Sequence, residues 1–600
     1  MLAETMPFAP TTLLNLVEQG WPLNRTGICA AVKRNGTWIE TTCTDFRAKV
    51  RHLALGLYAL GVRKGDRVAL HAENSTEWLI TDQAILSLGA VNVPIYTTQP
   101  GDQIRFILND AAAMVYIVSR QPLFDAFAPF LAEVPSLRAT IGLLGSYHPE
   151  MQTLELVLHQ GQVLDDREAH LFDDLRASVH PDDLASFIYT SGTTGMPKGV
   201  MLTHNNIAAN VQAACERLPF TPADHPEGRM LSYLPLSHIF ERMMVYMYSF
   251  IGRPVWFTER FEEVVEDMKT VQPIHFSTVP RLLEKVYLGI HSRAATLTGV
   301  KRLLMDEALR LADAYDVEQQ LGPVARLRFA LADRLVLSKI RTNLFGPNLL
   351  AITSGGAALP ARIMNFINAL GVFCAQGYGL TESSPVITFG VKGKLRAGSS
   401  GLPLSNVEVR IAPDGEILAR GPNVMVGYYH RPEETREVLD EDGWLHTGDI
   451  GHLDADGHLF ITDRKKALFK LSTGKYVAPQ PIENALTGTP FVDQAVVIGN
   501  GQKFCAALIV PNEAALRARL RSEGQDVPDG PPSAQPLFSD LIWADVKTLN
   551  EQLPPWEQVK KIYLLDHPFT IESGELTPKL SIKRKVVQDK YSAVIDSLYG

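Results

Sequence analysis

The sequence predicts an α/β fold. A large N-terminal domain with mixed and parallel sheets and a small β-barrel subdomain is followed by a smaller, mobile α+β C-terminal domain. Three observations carry this expectation. The chain has 600 residues, 46% of them hydrophobic, more than one core organises. Strand-length apolar runs alternate with helical periodicity in the first hundred residues, which favours a parallel sheet. From about Leu402 to Phe460 the pattern changes to short strands punctuated by Pro413-Asp414-Gly415 and Asp456-Gly457 turns, as in a small barrel.

Taken in order, Thr44 reads as a helix cap, with Phe46, Val50, Leu53, Leu57 and Leu60 at helical spacing until Gly61. Gly65-Asp66 turns into a strand at Arg67 to His71, and a helix from Trp78 to Leu88 leads to a second strand, Val91 to Ile95. Ser186-Phe187-Ile188 reads as a buried strand and Gly199 to Leu202 as another, after which Thr203 caps a helix from Asn205 to about Arg217. Met243 to Ile251 is apolar but too short to cross a bilayer, and reads as a buried helix. The stripes Leu304, Ala308, Leu311, Tyr315 and Val324, Leu327, Leu331, Leu335 mark two helices whose apolar faces are expected in the core. Ile352 to Ser354 runs as a strand into Gly355-Gly356-Ala357. Near the C-terminal end, Ala495 to Ile498 and Phe504 to Val510 suit a hairpin, and Gly524 to Pro536 a flexible surface insertion.

Composition narrows the function. A net charge of −9 leaves no electrostatic footprint for nucleic acid. The five cysteines, Cys29, Cys43, Cys215, Cys374 and Cys505, lack metal-ligand spacing, and their odd number argues against a disulfide framework. With no signal peptide and no run of about 18 apolar residues, a cytoplasmic protein is expected, with peripheral association at the inner face of a membrane left open. Oligomeric state is not legible.

The chemistry concentrates in Tyr189-Thr190-Ser191-Gly192-Thr193-Thr194-Gly195-Met196-Pro197-Lys198-Gly199-Val200. Glycines let backbone N–H groups approach anionic oxygens, the hydroxyls donate hydrogen bonds, and Lys198 adds a cation, so the loop suits a polyphosphate. It is not the kinase-type phosphate loop, because no Gly-Lys-Ser/Thr follows. Further on, Gln376-Gly377-Tyr378-Gly379-Leu380-Thr381-Glu382 offers an aromatic face between glycines, a hydroxyl, and a hard oxygen ligand suited to magnesium. Asp449, within Gly443 to Gly451, can accept both hydroxyls of a ribose.

The twelve-residue string resembles the signature loop of the adenylate-forming enzymes: acyl-CoA synthetases, luciferases and peptide-synthetase adenylation domains. Leu234 to Arg242 and Val279 to Tyr287 look like the long-chain fatty acid–CoA ligase branch, and the resemblance covers nearly the whole chain. It implies a reaction of ATP, Mg2+, a long-chain fatty acid and coenzyme A. By resemblance, the loop from Thr190 through Thr194 and Gly195 to Lys198 holds phosphate, with Thr194 catalytic, and His238 lies beside the acyl carboxylate. Gly355, Gly356 and Tyr378 enclose adenine, Ala357, Gln376, Gly377 and Gly379 belong to the same nucleotide site, Thr381 touches phosphate and Glu382 holds the metal. Asp449 binds ribose, Arg464 is a candidate for ribose or phosphate contact, and Lys466 is a hinge. Lys470 and Gly474 frame the coenzyme A tunnel. The implied domains are residues 1–463 (barrel at about 385–463), a hinge at 464–466 and a lid at 467–600.

The catalytic lysine is expected in Ser573 to Lys585. Aligning Thr-x-Lys-Leu selects Lys579, whereas aligning backwards from Lys583-Arg584 puts Ser581 where the lysine belongs. Lys579 is preferred, with Lys583 the neighbouring candidate. Two other outcomes stay open: delivery of the acyl group to a carrier-protein thiol, and a catalytically silent nucleotide-binding protein.

Overall fold

The computed structural model describes residues 9–191, 196–221, 223–465, 467–525, 530–570, 573–576 and 582–600. The chain divides into two compact units. One takes residues up to Arg410 with Leu418–Thr447 and Asp454–Leu459; the other takes Ile411–Ile417, Gly448–Leu453 and Phe460–Gly600.

Among the described residues, two sheets organise the larger unit. An eight-stranded sheet has the order Gly427–Tyr428, Pro197–Thr203, Leu184–Ser191, Val91–Ile95, Arg67–His71, Val115–Val118, Ala139–Gly142, Gln152–Thr153. The expected strand–helix–strand unit is its middle: Arg67–His71 and Val91–Ile95 pair in parallel across the helix Thr76–Ser87. In the nine-stranded sheet, His275–Thr278, Ala351–Ser354 and Phe373–Gly379 run parallel in near-flush register, Thr278 opposite Ser354 and Ser354 opposite Gln376. Loops leaving these three strands therefore start from one edge, where open α/β sheets place their ligands.

The strand-rich stretch after Leu402 forms a four-stranded sheet in the order Glu408–Ile411, Glu416–Arg420, Leu445–Leu453, Leu459–Arg464. In the smaller unit, Val492–Ile498 pairs antiparallel with Cys505–Pro511, which pairs in parallel with Val559–Leu564. Side-chain alternation gives this sheet two buried faces. Val497, Ala507 and Ile509 pack with Leu486, Phe538 and Ile542, while Val496, Leu508 and Val510 pack with Leu565, Phe569 and Val587.

Several expectations change. The first long helix is Cys43–Ala59, capped by Thr42 rather than Thr44, because the Thr42 hydroxyl reaches the Asp45 amide at 3.0 Å. The helix after the strand Pro197–Thr203 is His204–Cys215, with the expected Thr203 cap reciprocated by Asn206. Met243 to Ile251 is core: Met243, Tyr246 and Tyr248 are buried in the helix Ile239–Phe250. No helix among the described residues is long and apolar enough to cross a membrane. Both apolar stripes depart from the expectation: in the first, Ala308 is buried but Leu304 is exposed. In the second, Val324, Leu327, Leu331 and Leu335 are exposed, and the helix buries Ala332, Val336 and Leu337 instead. In the expected insertion, residues 526–529 lie outside the described residues and Pro532–Ala534 forms a 3-10 turn.

Candidate active site

The hairpin Leu184–Ser191/Pro197–Thr203 carries the hydroxyl- and glycine-rich segment between its strands. Thr190 pairs with Lys198 and Ser191 with Pro197, so the register fixes the ends of the loop on a buried base, where Phe187, Ile188, Val200 and Leu202 are in the core. Gly192, Thr193, Thr194 and Gly195 lie outside the described residues. Lys198 forms an ion pair with Glu434, and its ammonium sits 5.2 Å from the centre of the Tyr428 ring. That tyrosine is placed by pairing of Gly427–Tyr428 with Val200 and Met201, and its hydroxyl donates to Glu382 Oε1 at 2.8 Å. Burial pushes the Tyr428 phenol up, and the Glu382 carboxylate adds to the shift, so it remains a donor. Lys198 and Glu382, far apart in sequence, are thus joined through one side chain.

Tyr428 and Glu434 were not singled out from the sequence. The signal available was Gly427-Tyr428 followed by Arg431-Pro432-Glu433-Glu434, a turn running into the proline-started helix Pro432–Val438.

The glycines of Gln376 to Gly379 are required by packing. A Cβ at Gly379 would lie 1.7 Å from the Pro385 carbonyl oxygen, and one at Gly377 would lie 3.0 Å from the Phe389 ring. Gln376 is buried and accepts from the Leu359 amide at 2.6 Å, tying the loop that holds Gly355, Gly356 and Ala357 to the neighbouring strand. Gly356 has φ +79°, in the left-handed region glycine favours. A Cβ at Gly355 would meet the Phe240 ring at 3.0 Å, which brings the start of the helix Ile239–Phe250 to this loop. His238 caps that helix: its Nδ1 accepts from the Phe240 amide at 3.1 Å, so the neutral ring carries its proton on Nε2. Tyr96 lies edge-on to it at 6.4 Å. Thr381 is buried in the turn that presents Glu382.

One turn beyond His238, Glu241 is fully buried and accepts from the Ser277 hydroxyl. Burial pushes its carboxyl up to about 7 from an ordinary 4.5. The folded state thus prefers the neutral acid. Stability is fully present below the unfolded pKa of 4.5 and falls as pH rises through 7. Glu241→Gln should remove that slope, worth about 3 kcal/mol. Urea titrations at pH 5 and pH 8 check it; an unchanged slope in the variant counts against this burial effect.

In the smaller unit, Asp449 is buried beside Gly448, which has φ +72°. Glu416 accepts from the Gly448 amide at 2.9 Å and from Lys465 Nζ at 2.9 Å, and the Lys465 amide donates to the Gly448 carbonyl at 2.8 Å. These bonds fix the turn that carries Asp449. Arg464 Nε lies 3.4 Å from Asp449 Oδ1, and burial pushes the adjacent Asp463 up to about 6. Lys466 lies outside the described residues. Beyond it, Phe469–Lys470 pairs with Tyr476–Val477, with Gly474 at φ +86° in the connecting turn and the Lys470 ammonium 5.4 Å from the Tyr476 ring.

Lys579 and Ser581 also lie outside the described residues. Leu576 and Ile582 bracket that stretch as an antiparallel bridge. Glu575, buried, accepts from Tyr591 at 2.9 Å and Lys590 at 2.8 Å, and its carbonyl accepts from the Lys583 amide at 2.7 Å.

Fold and site define a two-unit α/β enzyme built to handle a nucleotide and its phosphates. Residues 20–429 match the family model described as AMP-binding enzyme, and residues 467–600 that described as AMP-binding enzyme C-terminal domain. The chain belongs to the AMP-binding, adenylate-forming enzymes, in the branch of long-chain fatty acid–CoA ligases. It is 35% identical over 574 residues to the long-chain-fatty-acid–CoA ligase FadD15 of Mycobacterium bovis, covering 94% of this chain and 93% of that one. It is 34% identical to the peroxisomal long chain acyl-CoA synthetase 7 of Arabidopsis thaliana, covering 94% and 82%. The crystal structure of the anthranilate CoA ligase AuaEII with anthranoyl-AMP shares the fold, with a TM-score of 0.69 at 20% identity over 98% of this chain and 99% of that one.

Proposed function

We propose that this protein activates long-chain fatty acids with ATP and passes the acyl group to coenzyme A. The carboxylate, ionised near neutrality because its pKa is roughly 4 to 5, attacks the α-phosphate. A carboxylate–phosphorus bond forms, the bond to the β-phosphate bridging oxygen breaks, and pyrophosphate leaves. The coenzyme A thiolate then attacks the acyl carbon and AMP leaves. No general base is needed in the first step; the barrier is repulsion between anions, answered by fixed cations and dipoles.

The observation that carries this reading is the Lys198–Tyr428–Glu382 connection, which supports a cation and a carboxylate acting on one polyphosphate. No cluster of three or more metal-ligating side chains occurs among the described residues. A single carboxylate is the protein donor set that Mg2+ takes when phosphates and water complete its shell, so Glu382 would hold it, and it would neutralise phosphate charge. Within this reading, Thr190 to Gly195 and Lys198 hold phosphate. Residues 355–357 and 376–379 hold adenine, Thr381 a phosphate, and Asp449 with Arg464 the ribose. His238 Nε2–H serves the acyl carboxylate. Residues 1–463 form the AMP-binding domain, Lys466 the hinge, and residues 467–600 the lid, where Lys470 and Gly474 serve coenzyme A.

The test is pyrophosphate release dependent on fatty acid, followed by AMP release dependent on coenzyme A; thioester formed with a carrier protein and not with coenzyme A would overturn the acceptor. Asp449→Ala should raise the KM for ATP by about ten- to a hundredfold, the worth of losing charge-assisted bonds to ribose. Steady-state kinetics with varied ATP check this, and an unchanged KM would remove Asp449 from the ribose site.

A further inference from the structure

We propose that the exposed face of the helices Gly299–Asp313 and Pro323–Ala332, with the π-turn Asp333–Leu337, docks on an anionic lipid bilayer. The proposal rests on the fatty-acid reading for its purpose, since a long-chain acid partitions into bilayers, and its test is kept apart from catalysis.

Seven large apolar side chains stand in solvent here. Val324 and Leu327 are 74% and 73% exposed, and with Leu331 and Leu335 they follow one another at spacings of three and four along one side of their helix. Val300 and Leu303, at 71% and 70%, and Leu304 form the matching stripe on the other helix, which turns Ala308, Leu309 and Ala312 inward. An ion pair of 2.5 Å joins Arg328 to Glu307. Arg328 is next to Leu327, and Glu307 lies one turn beyond Leu303 and Leu304, so the two stripes flank this bridge and make one surface. An apolar patch of this kind marks an interaction site.

Charge chooses the occupant. The acidic groups of this face are already engaged: Asp306 with Arg302 at 2.6 Å, Glu307 with Arg310 and Arg328, and Asp333 with Arg341 at 3.3 Å. Among the described residues, Lys301, Arg326, Arg334 and Lys339 are exposed and form no ion pair. By helical spacing Lys301 and Arg326 flank the stripes rather than lying in them, and Arg334 and Lys339 follow Leu331 along the turn Asp333–Leu337 and the helix Ser338–Phe345. Apolar side chains rimmed by uncompensated cations suit helices lying in the headgroup layer of an anionic membrane. A second copy on a two-fold axis would bring the same cations face to face.

Flotation of the full chain with vesicles tests this, without ATP or acyl substrate. Vesicles of phosphatidylcholine with phosphatidylglycerol should bind the wild type about tenfold more tightly than phosphatidylcholine alone, and added salt should erase the difference. Leu327→Glu with Leu331→Glu should abolish flotation. Arg326→Glu with Arg334→Glu should lower binding to anionic vesicles by about tenfold or more, and Lys49→Glu, an exposed lysine on another helix, should leave it unchanged. No flotation by the wild type, equal flotation by the leucine variant, or sedimentation showing a dimer that the leucine variant dissociates would overturn the proposal. Acyl-CoA formation from a long-chain acid carried in cyclodextrin, measured without vesicles, should be the same in every variant. Its absence in the wild type would sink the functional reading and leave the docking face standing.

Discussion

Lys579→Ala is expected to slow adenylate formation by about a hundred- to a thousandfold, the range for removing one fixed charge-stabilising donor, while thioester formation from preformed acyl-adenylate stays within a few-fold. The asymmetry follows from where charge builds. In the first half-reaction an anion attacks a polyphosphate, and negative charge accumulates around the α-phosphate, where an ammonium stabilises the transition state more than the ground state. In the second, the thiolate attacks a neutral acyl carbon and its charge passes to the departing AMP, so no anion has to be brought onto a polyphosphate and that cation matters less. The sequence offers a neighbour, Lys583, whose amide is tied to Glu575 ahead of the helix Arg584–Lys590. Lys583→Ala is the matched control and should retain adenylate formation. Pyrophosphate release with fatty acid and ATP reads the first step, and coenzyme A consumption with synthetic acyl-adenylate reads the second. Loss in Lys583→Ala with activity kept in Lys579→Ala would move the role to Lys583, and equal loss of both steps in Lys579→Ala would deny it a step-specific one.

What could be read from the sequence was whatever is local. Ser186-Phe187-Ile188 is a strand wherever it packs, Thr203 caps because Asn206 stands three residues on, and the glycines around Tyr378 announce a tight backbone that Pro385 and Phe389 enforce. Contacts across the chain were not local. Tyr428 joins Glu382 to Lys198 from segments 46 residues apart on one side and much farther on the other, and nothing in Gly427-Tyr428 specifies that partner. Periodicity also has a built-in limit. Val324, Leu327, Leu331 and Leu335 share a face, as their spacing says, but spacing does not say what covers it. The same helix buries the smaller set Ala332, Val336 and Leu337, which the rule of large apolar residues passes over.

The largest loss of stability should come from Asp82→Ala, about 3 to 5 kcal/mol, the cost of leaving a buried charge without its partner. Asp82 and Arg242 are 0% and 1% exposed, and the guanidinium forks onto the carboxylate with bonds of 2.6 and 3.1 Å. Tyr246 and Asn92 each donate to the same carboxylate at 2.6 Å, and Arg242 donates to Ser186 at 2.8 Å. The network thus ties the strand Leu184–Ser191 to the helix that begins just after His238. Removing Asp82 alone strands the cation in the core; removing both partners removes the penalty. Asp82→Ala with Arg242→Met should therefore recover much of the stability lost by Asp82→Ala, since apolar replacement of a whole buried pair is often near neutral. Thermal unfolding of both variants and of Arg242→Met completes the cycle. Additive losses would show that the pair is not coupled, and a loss below about 1 kcal/mol for Asp82→Ala would show that water reaches the site.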